Sequence, residues 1–173
     1  NVQYALMNDM AGKVAPGSDG LSVLPFGNGA ERMLGNKDVG ARFLGLNFNI
    51  HTGSHLYRAA QEGIVFSFRY GFDIMKATGI EPAVIRAAAT NMFRSSVFRE
   101  ALSCTTGTEI HLYNTDGSAG AARGAGIGCG YYMSVKEAFA GLIPAGVTEP
   151  DRTKTDEYEE AFSRWLQYLE EII

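Results

Sequence analysis

The amino-acid sequence predicts an α/β protein with a mixed sheet, packed helices and a helical C-terminus. Along the middle of the chain, apolar residues at helical spacing alternate with short apolar runs that are typical of strands. The loops between them are short, and such connections join parallel strands through right-handed crossovers. The chain has 173 residues, of which 46% are apolar and 20% charged, so it is long enough to bury the core of one domain.

The first third of the chain predicts a helix and two short strands. Residues 2–10 have the spacing of a helix, and Pro-Gly-Ser-Asp-Gly at 16–20 is strong turn chemistry. Apolar runs at 23–26 and 43–48 predict strands on either side of a second, glycine-containing loop.

A long buried helix is predicted over 53–77. Thr52 is a favourable N-cap residue, apolar residues fall on more than one face, and Gly79 is a typical residue just beyond a helix C-terminus. Gly63 lies in the helix interior, where glycine costs about 1 kcal/mol relative to alanine. We expect this glycine to allow close packing against a neighbouring backbone.

The second half of the chain continues the alternation. Asp116 and Ser118 are alternative N-caps for a helix of small residues, and Pro144 and Pro150 are expected to separate two final helices. The predicted elements are a strand at 83–89, a loop at 90–94, a helix at 95–105 ended by Gly107, a strand at 109–113, and helices at 119–128, 134–142 and 156–172.

Composition argues against several classes of protein. The net charge is −4 and no basic stripe is present, so nucleic-acid binding is not expected. No apolar run approaches the roughly 18 residues of a membrane span. Cys104 and Cys129 lack metal-ligand spacing and fall in segments predicted to be buried helix, which is typical of a reduced, cytoplasmic protein.

Standard catalytic and cofactor motifs are also missing. The sequence has no phosphate-binding P-loop, and the glycine run at 124–130 fails the dinucleotide pattern because it follows a helix. We expect that run to form a helix with a small face that another element can approach closely. His51 and His55 lack the intervening Glu of a metalloprotease, so contacts at the start of a helix are favoured over metal binding.

The acidic residues form no paired-carboxylate site. Glu31 beside Arg32 is expected to anchor its loop by an ion pair, with a ligand contact as the alternative. No catalytic residue and no metal ligand is therefore predicted within the chain.

The most informative segment is the strand at 83–89, its loop and the following helix. A loop that opens a helix N-terminus can bind a nucleotide, because backbone N–H groups and the positive end of the helix dipole meet there. Asn91, Ser95 and Ser96 are short polar residues at this edge. The alternative is that Ser95 serves only as an N-cap.

Four segments in order along the chain carry a family resemblance. They are 16–26, the Gly-Ala-Glu-Arg sequence at 29–32, the stretch 41–63, and Asp-Gly-Ser-Ala-Gly-Ala-Ala at 116–122. Together they resemble the C-terminal lobe of the FGGY family of carbohydrate kinases, in its xylulokinase branch. Gln61 departs from the family pattern, in which an apolar residue is usual.

The resemblance implies two actin-like, RNase H-like lobes around a cleft, and phosphoryl transfer from Mg²⁺-bound ATP to a sugar hydroxyl, with D-xylulose as the expected substrate. It places the catalytic Asp upstream of Asn1 and the main sugar contacts in the other lobe. Residues 1–173 are thus expected to be a fragment that forms the nucleotide-facing lobe and is inactive when isolated. Oligomeric state is left open, with a homodimer as one alternative.

The same resemblance assigns the nucleotide loop. The family usually has Gly-Gly-Gly-x-x-Ser after the strand, and Thr90 to Ser95 stand at the matching positions. Carrying the role over makes Asn91 and Ser95 the expected ATP contacts, with Thr90, Met92 and Ser96 beside them. Two alternatives stay open: a non-catalytic actin-like module that binds a nucleotide or partner, and an FGGY kinase for glycerol, gluconate or a deoxyhexulose.

Overall fold

The computed structural model describes residues 3–173, so the predicted helix start at Val2 lies outside the described residues. The helices in this part are α1 (Tyr4–Ala11), α2 (Gly53–Ala77), α3 (Ser96–Thr106), α4 (Gly117–Gly128), α5 (Val135–Phe139) and α6 (Thr155–Glu170). The strands are β1 (Ser22–Pro25), β2 (Ala41–Leu44), β3 (Val84–Ala88), β4 (Glu109–Tyr113) and β5 (Pro144–Thr148). Short 3₁₀ turns lie at Ser18–Gly20, Arg32–Leu34 and Asn91–Arg94.

The strands form two sheets. β1 and β2 pair antiparallel, whereas the larger sheet has the order β3-β4-β5, with β3 and β4 parallel and β5 antiparallel to β4. The predicted mixed α/β architecture is confirmed, and so is the parallel pairing of the strands predicted at 83–89 and 109–113, which are β3 and β4. β5 was missed because Pro144 was interpreted as a break between helices; proline is compatible with the first position of an edge strand.

Other features also differ from the sequence prediction. The helix predicted over 134–142 is shorter, since α5 ends at Phe139. β2 ends at Leu44, because Gly45 has a φ of 75° and the chain then turns through a hydrogen bond from the His51 N–H to the Asn47 carbonyl, 2.9 Å long. The segment predicted as an irregular loop contains the 3₁₀ turn Asn91–Arg94.

The core lies where α2, α3 and α6 meet the sheets. Trp165 of α6 is fully buried, its ring centroid is 6.2 Å from that of Phe66, and its indole N–H donates to the Val23 carbonyl at 2.8 Å. Gly63 explains how α2 approaches β1 so closely. A Cβ atom at Gly63 would stand 2.2 Å from the Val23 carbonyl oxygen, so the predicted close backbone packing is confirmed.

The small-residue helix α4 is less buried than the sequence suggests. No residue of α4 is buried, and its tight contact is between Gly126 and the ring of Tyr132, where an added Cβ would come within 2.8 Å. Cys104 is buried as predicted, but the prediction of a buried Cys129 is wrong, because α4 packs mainly on the short α5 and leaves that side chain exposed. Across residues 3–173, no helix combines the length and apolarity needed to cross a membrane.

Candidate functional site

The candidate site is the loop that leaves the carboxyl end of β3 and enters α3. The Ala89 N–H donates to the Tyr113 carbonyl at 2.9 Å, so the loop starts beside the end of β4. The Phe93 N–H then donates to the Thr90 carbonyl at 3.1 Å and closes a 3₁₀ turn. This edge, where two parallel strands end, is where open α/β sheets bind their ligands.

Asn91 begins this turn and presents its side chain outward. Its φ of 51° lies in the left-handed region, which Asn tolerates better than most residues. The residue is exposed, and its side-chain amide makes no hydrogen bond within residues 3–173. It is therefore free to contact a ligand at the loop.

Met92 and Phe93 attach the turn to the core. Both are half-buried, and the Phe93 ring packs edge-on against Phe98 with centroids 5.3 Å apart. The Arg99 guanidinium donates to the Phe93 carbonyl at 2.6 Å. A turn without the family's glycines is thus held by side-chain packing.

Ser95 points inward and caps α3. It is 2% exposed, its Oγ accepts a hydrogen bond from the Phe98 N–H at 3.4 Å, and it donates to the Gln61 side-chain oxygen at 2.6 Å. Ser95 therefore serves as the N-cap of α3, which was the alternative role considered for it. A contact between Ser95 and a nucleotide stays a prediction. Thr90 is half-buried and Ser96 is exposed.

An open cleft of about 810 Å³ lies at the same end of the sheet. Ala88 and Tyr113 line one side, and Val135 and Phe139 of α5 supply an apolar wall on the other. Asp116 stands at its rim as the N-cap of α4, which confirms one of the two predicted caps. Hydrogen bonds from the Ala119 N–H and the Ser118 hydroxyl lower the pKa of Asp116.

The histidine pair has the structural role that the sequence favours. The His51 Nδ1 accepts from the Asn47 N–H at 2.9 Å, while the His55 Nδ1 accepts from the Thr52 N–H at 3.1 Å and its Nε2 lies 3.0 Å from Asp19. Within the described part of the chain, no cluster of three or more His, Cys, Asp or Glu side chains could hold a metal ion.

Glu31 does not form the ion pair that the sequence analysis expected. In residues 3–173, Glu31 forms no ion pair with Arg32; its backbone N–H donates instead to the Lys37 carbonyl at 3.1 Å in an isolated bridge. Its side chain borders an apolar groove of about 710 Å³ between α2 and the loop after β1.

A buried ionic network is the feature that sequence reasoning missed. Glu62 is 2% exposed and accepts hydrogen bonds from Arg58 at 2.7 Å, the Ser18 hydroxyl at 3.0 Å and the Gly17 N–H at 3.1 Å. Burial raises the pKa of Glu62, and the Arg58 guanidinium opposes that shift. The spacing of Arg58 and Glu62, four residues apart on a helix, was the available signal.

The network continues from Arg58 to the far side of the core. Its guanidinium donates to the Val14 carbonyl at 2.6 Å and to the Tyr158 hydroxyl at 2.7 Å, and that hydroxyl donates to Glu100 at 2.9 Å. Burial raises the pKa of Tyr158, which keeps it a neutral donor. One chain of hydrogen bonds therefore joins the loop before β1 to α2, α3 and α6.

Comparison with known proteins points to sugar kinases, although no family model matches the chain. Xylulose kinase of Haemophilus influenzae is 27% identical over 178 aligned residues, covering 99% of this chain and 35% of the relative. Gluconokinase of Bacillus subtilis is 34% identical over 108 residues, covering 62% of this chain and 21% of the relative. The crystal structure of xylulose kinase from Rhodospirillum rubrum superimposes with a TM-score of 0.73 at 26% identity, over 95% of this chain and 33% of that one.

The chain is similar in sequence and in fold to FGGY-type sugar kinases. It spans about a third of the length of the xylulose kinases it matches. Of the segments that carry the resemblance, 16–26 forms the turn Ser18–Gly20 and β1, and the stretch 41–63 forms β2 and the first half of α2. The buried Glu62 joins these two family segments directly, since it binds Gly17 and Ser18.

Proposed function

We propose that the protein containing this chain transfers a phosphoryl group from Mg²⁺-bound ATP to a sugar hydroxyl, with D-xylulose as the expected acceptor. The observation that carries the proposal is the alignment of 99% of the chain with a xylulose kinase. Gluconate is a second candidate acceptor, because the Bacillus subtilis gluconokinase has 34% identity over the part of the chain that it matches.

We also propose that residues 1–173 form part of the nucleotide-facing lobe, with the catalytic base and most sugar contacts supplied by other parts of the protein. The larger sheet supports this proposal, since one edge of β3 is unpaired within residues 3–173. The α4–α5 region adds large exposed apolar side chains, which further protein would cover: Tyr131, Met133 and Val135 are 76%, 86% and 65% exposed.

The loop after β3 fits a nucleotide's phosphate or sugar groups. The Ser96 and Val97 N–H groups at the start of α3 find no acceptor within residues 3–173, and the dipole of an 11-residue helix favours an anion there. Asn91 adds an unengaged amide. Within residues 3–173 no group of three or more His, Cys, Asp or Glu side chains could hold a metal ion, so we expect Mg²⁺ to bind together with the phosphates of the nucleotide.

A coupled phosphorylation assay tests this function. The full-length natural protein, purified, would be offered ATP with a panel of ketoses, polyols and gluconate. We expect ADP release that depends on one sugar of the panel, with D-xylulose first. Nucleotide binding without any sugar-dependent ADP release would favour the non-catalytic actin-like module instead. Size-exclusion chromatography with light scattering would decide whether the full-length protein is a homodimer. Cell fractionation would decide whether the protein is cytoplasmic.

Replacing Asn91 is expected to weaken ATP use selectively. The Asn91→Gly variant removes the side chain and keeps a residue that accepts a φ of 51° without strain. Losing one hydrogen bond of ordinary strength should raise the KM for ATP about fivefold and leave the sugar KM within about twofold. Steady-state kinetics measure both, with the exposed Glu81→Gln variant at the other end of β3 as a control. A larger change in the sugar KM would remove Asn91 from the nucleotide site.

The 173-residue chain by itself is expected to show no sugar-dependent ATP hydrolysis. The proposal assigns the catalytic base to another part of the protein, and without that base the sugar hydroxyl is not activated for phosphoryl transfer. The coupled assay with purified chain tests this expectation, and turnover above the no-enzyme control would contradict it.

A further inference from the structure

We infer that Gln61 is a positioning residue for the nucleotide loop, and that it acts through a relay of three side chains, Asn8, Gln61 and Ser95. The kinetic part of this inference rests on the proposed kinase function, whereas the relay itself rests on geometry alone. Gln61 lies on α2, next in sequence to the buried Glu62. No ligand contact is needed for this role.

The hydrogen bonds of the relay fix one another's direction. The Ser95 Oγ accepts from the Phe98 N–H and so uses its single proton to donate to the Gln61 Oε1, at 2.6 Å. That contact leaves the Gln61 Nε2 to donate to the Asn8 Oδ1, at 3.2 Å. Each end of the Gln61 amide therefore has a partner, as a side chain that is only 7% exposed requires.

The relay connects three helices at the point where the loop enters α3. Asn8 is on α1, Gln61 on α2, and Ser95 is the N-cap of α3. The Ser95 N–H also donates to the Met92 carbonyl at 3.0 Å, so the position of Ser95 sets the end of the Asn91–Arg94 turn. Gln61 thereby fixes both the turn and the first N–H groups of α3.

An apolar side chain at position 61 would change this arrangement. The buried Ser95 hydroxyl would lose its acceptor, and it could recover one only by rotating away from its capping position. Asn8 would lose its donor as well. The expected consequence is a turn and a helix start that sample several orientations, which weakens nucleotide binding more than binding of the sugar.

The test compares Gln61→Leu, Ser95→Ala and the double variant in the full-length protein. We expect Gln61→Leu to raise the KM for ATP about fivefold, with the sugar KM and kcat changed less than about twofold. The double variant no longer has the Ser95 hydroxyl that Gln61→Leu leaves without an acceptor. The KM of the double variant for ATP should therefore be no higher than that of Gln61→Leu. Gln167→Leu, an exposed Gln on α6, is the matched control and should leave both constants unchanged.

Amide hydrogen exchange provides a readout that does not depend on activity. Gln61→Leu should speed exchange several-fold at the hydrogen-bonded N–H groups of Phe93, Ser95 and Phe98 and leave β4 unchanged, whether or not the protein phosphorylates a sugar. If the unmutated protein phosphorylated no sugar, the proposed function would be wrong. The exchange experiment would still show whether Gln61 positions the loop. Additive effects of the two substitutions, or unchanged exchange at Phe93, Ser95 and Phe98, would overturn the inference.

Discussion

Gly63→Ala is expected to lower the free energy of unfolding by about 3 kcal/mol or more, an effect at the upper end of those seen for overpacked cores. The new Cβ would lie 2.2 Å from the Val23 carbonyl oxygen and 3.0 Å from its carbon, both of them backbone atoms. Backbone cannot rotate aside as a flexible side chain can, so α2 must move away from β1. The Val23 carbonyl also accepts the Trp165 indole N–H, and that hydrogen bond would be strained in turn.

Gly71→Ala is the matched control, since Gly71 lies on the same helix and nothing stands within 4 Å of its added Cβ. There the helix propensity of alanine dominates, and the free energy of unfolding should rise by about 0.5–1 kcal/mol. Urea or thermal unfolding of the purified variants measures both changes. Equal stability for the two variants would mean that α2 and β1 are not as close as the structure places them.

Glu62→Ala is expected to cost about 3–5 kcal/mol of unfolding free energy, the range found when one partner of a buried ion pair is removed. The substitution leaves the buried Arg58, 3% exposed, with only the more distant Glu100 carboxylate, 3.9 Å away, as a counter-charge. It also removes the hydrogen-bond acceptor of the Gly17 N–H and the Ser18 hydroxyl. The loop before β1 should loosen together with the core. Glu62→Gln keeps an acceptor but removes the charge, so its loss should be smaller than that of the alanine variant.

The pair of Glu160 and Arg164, in which the glutamate is exposed, supplies the control. It has the same four-residue spacing on a helix, with 3.7 Å between Oε1 and Nη1, but the Glu160 side chain is 82% exposed. Exposed pairs of this kind contribute about 0–1 kcal/mol, so Glu160→Ala should change stability little. Denaturant unfolding compares the two alanine variants directly. A Glu62→Ala variant as stable as Glu160→Ala would show that the buried network does not support the fold.

Local patterns predicted the regular elements well. The bounds of α2 match the predicted 53–77, and Gly107 ends α3 as expected, with a φ of 67°. β5 could not be predicted in the same way, because its sequence, Pro-Ala-Gly-Val-Thr, has little strand preference of its own. It forms a strand because β4 offers an edge for it to pair with.

The candidate site, too, could be predicted from the sequence only in part. Position in the family pattern pointed to the loop that contains Asn91 and Ser95, and the structure places that loop at the carboxyl end of β3. Sequence could not distinguish the outward Asn91 from the inward Ser95, since both are short polar residues. The distinction depends on Gln61, 34 residues earlier in the chain, which reaches the Ser95 hydroxyl across the contact between α2 and α3.

The sequence by itself determined the α/β class, the helix caps, the glycine that lets α2 approach a neighbour, and the resemblance to sugar kinases. These follow from spacing and from residue types that act within a few positions of one another. Only the tertiary structure decided that the neighbour of α2 is β1 and that Glu62 bonds Gly17 and Ser18. It also decided that the buried Ser95 hydroxyl bonds Gln61. Such contacts join residues more than 30 positions apart, and packing in three dimensions selects them.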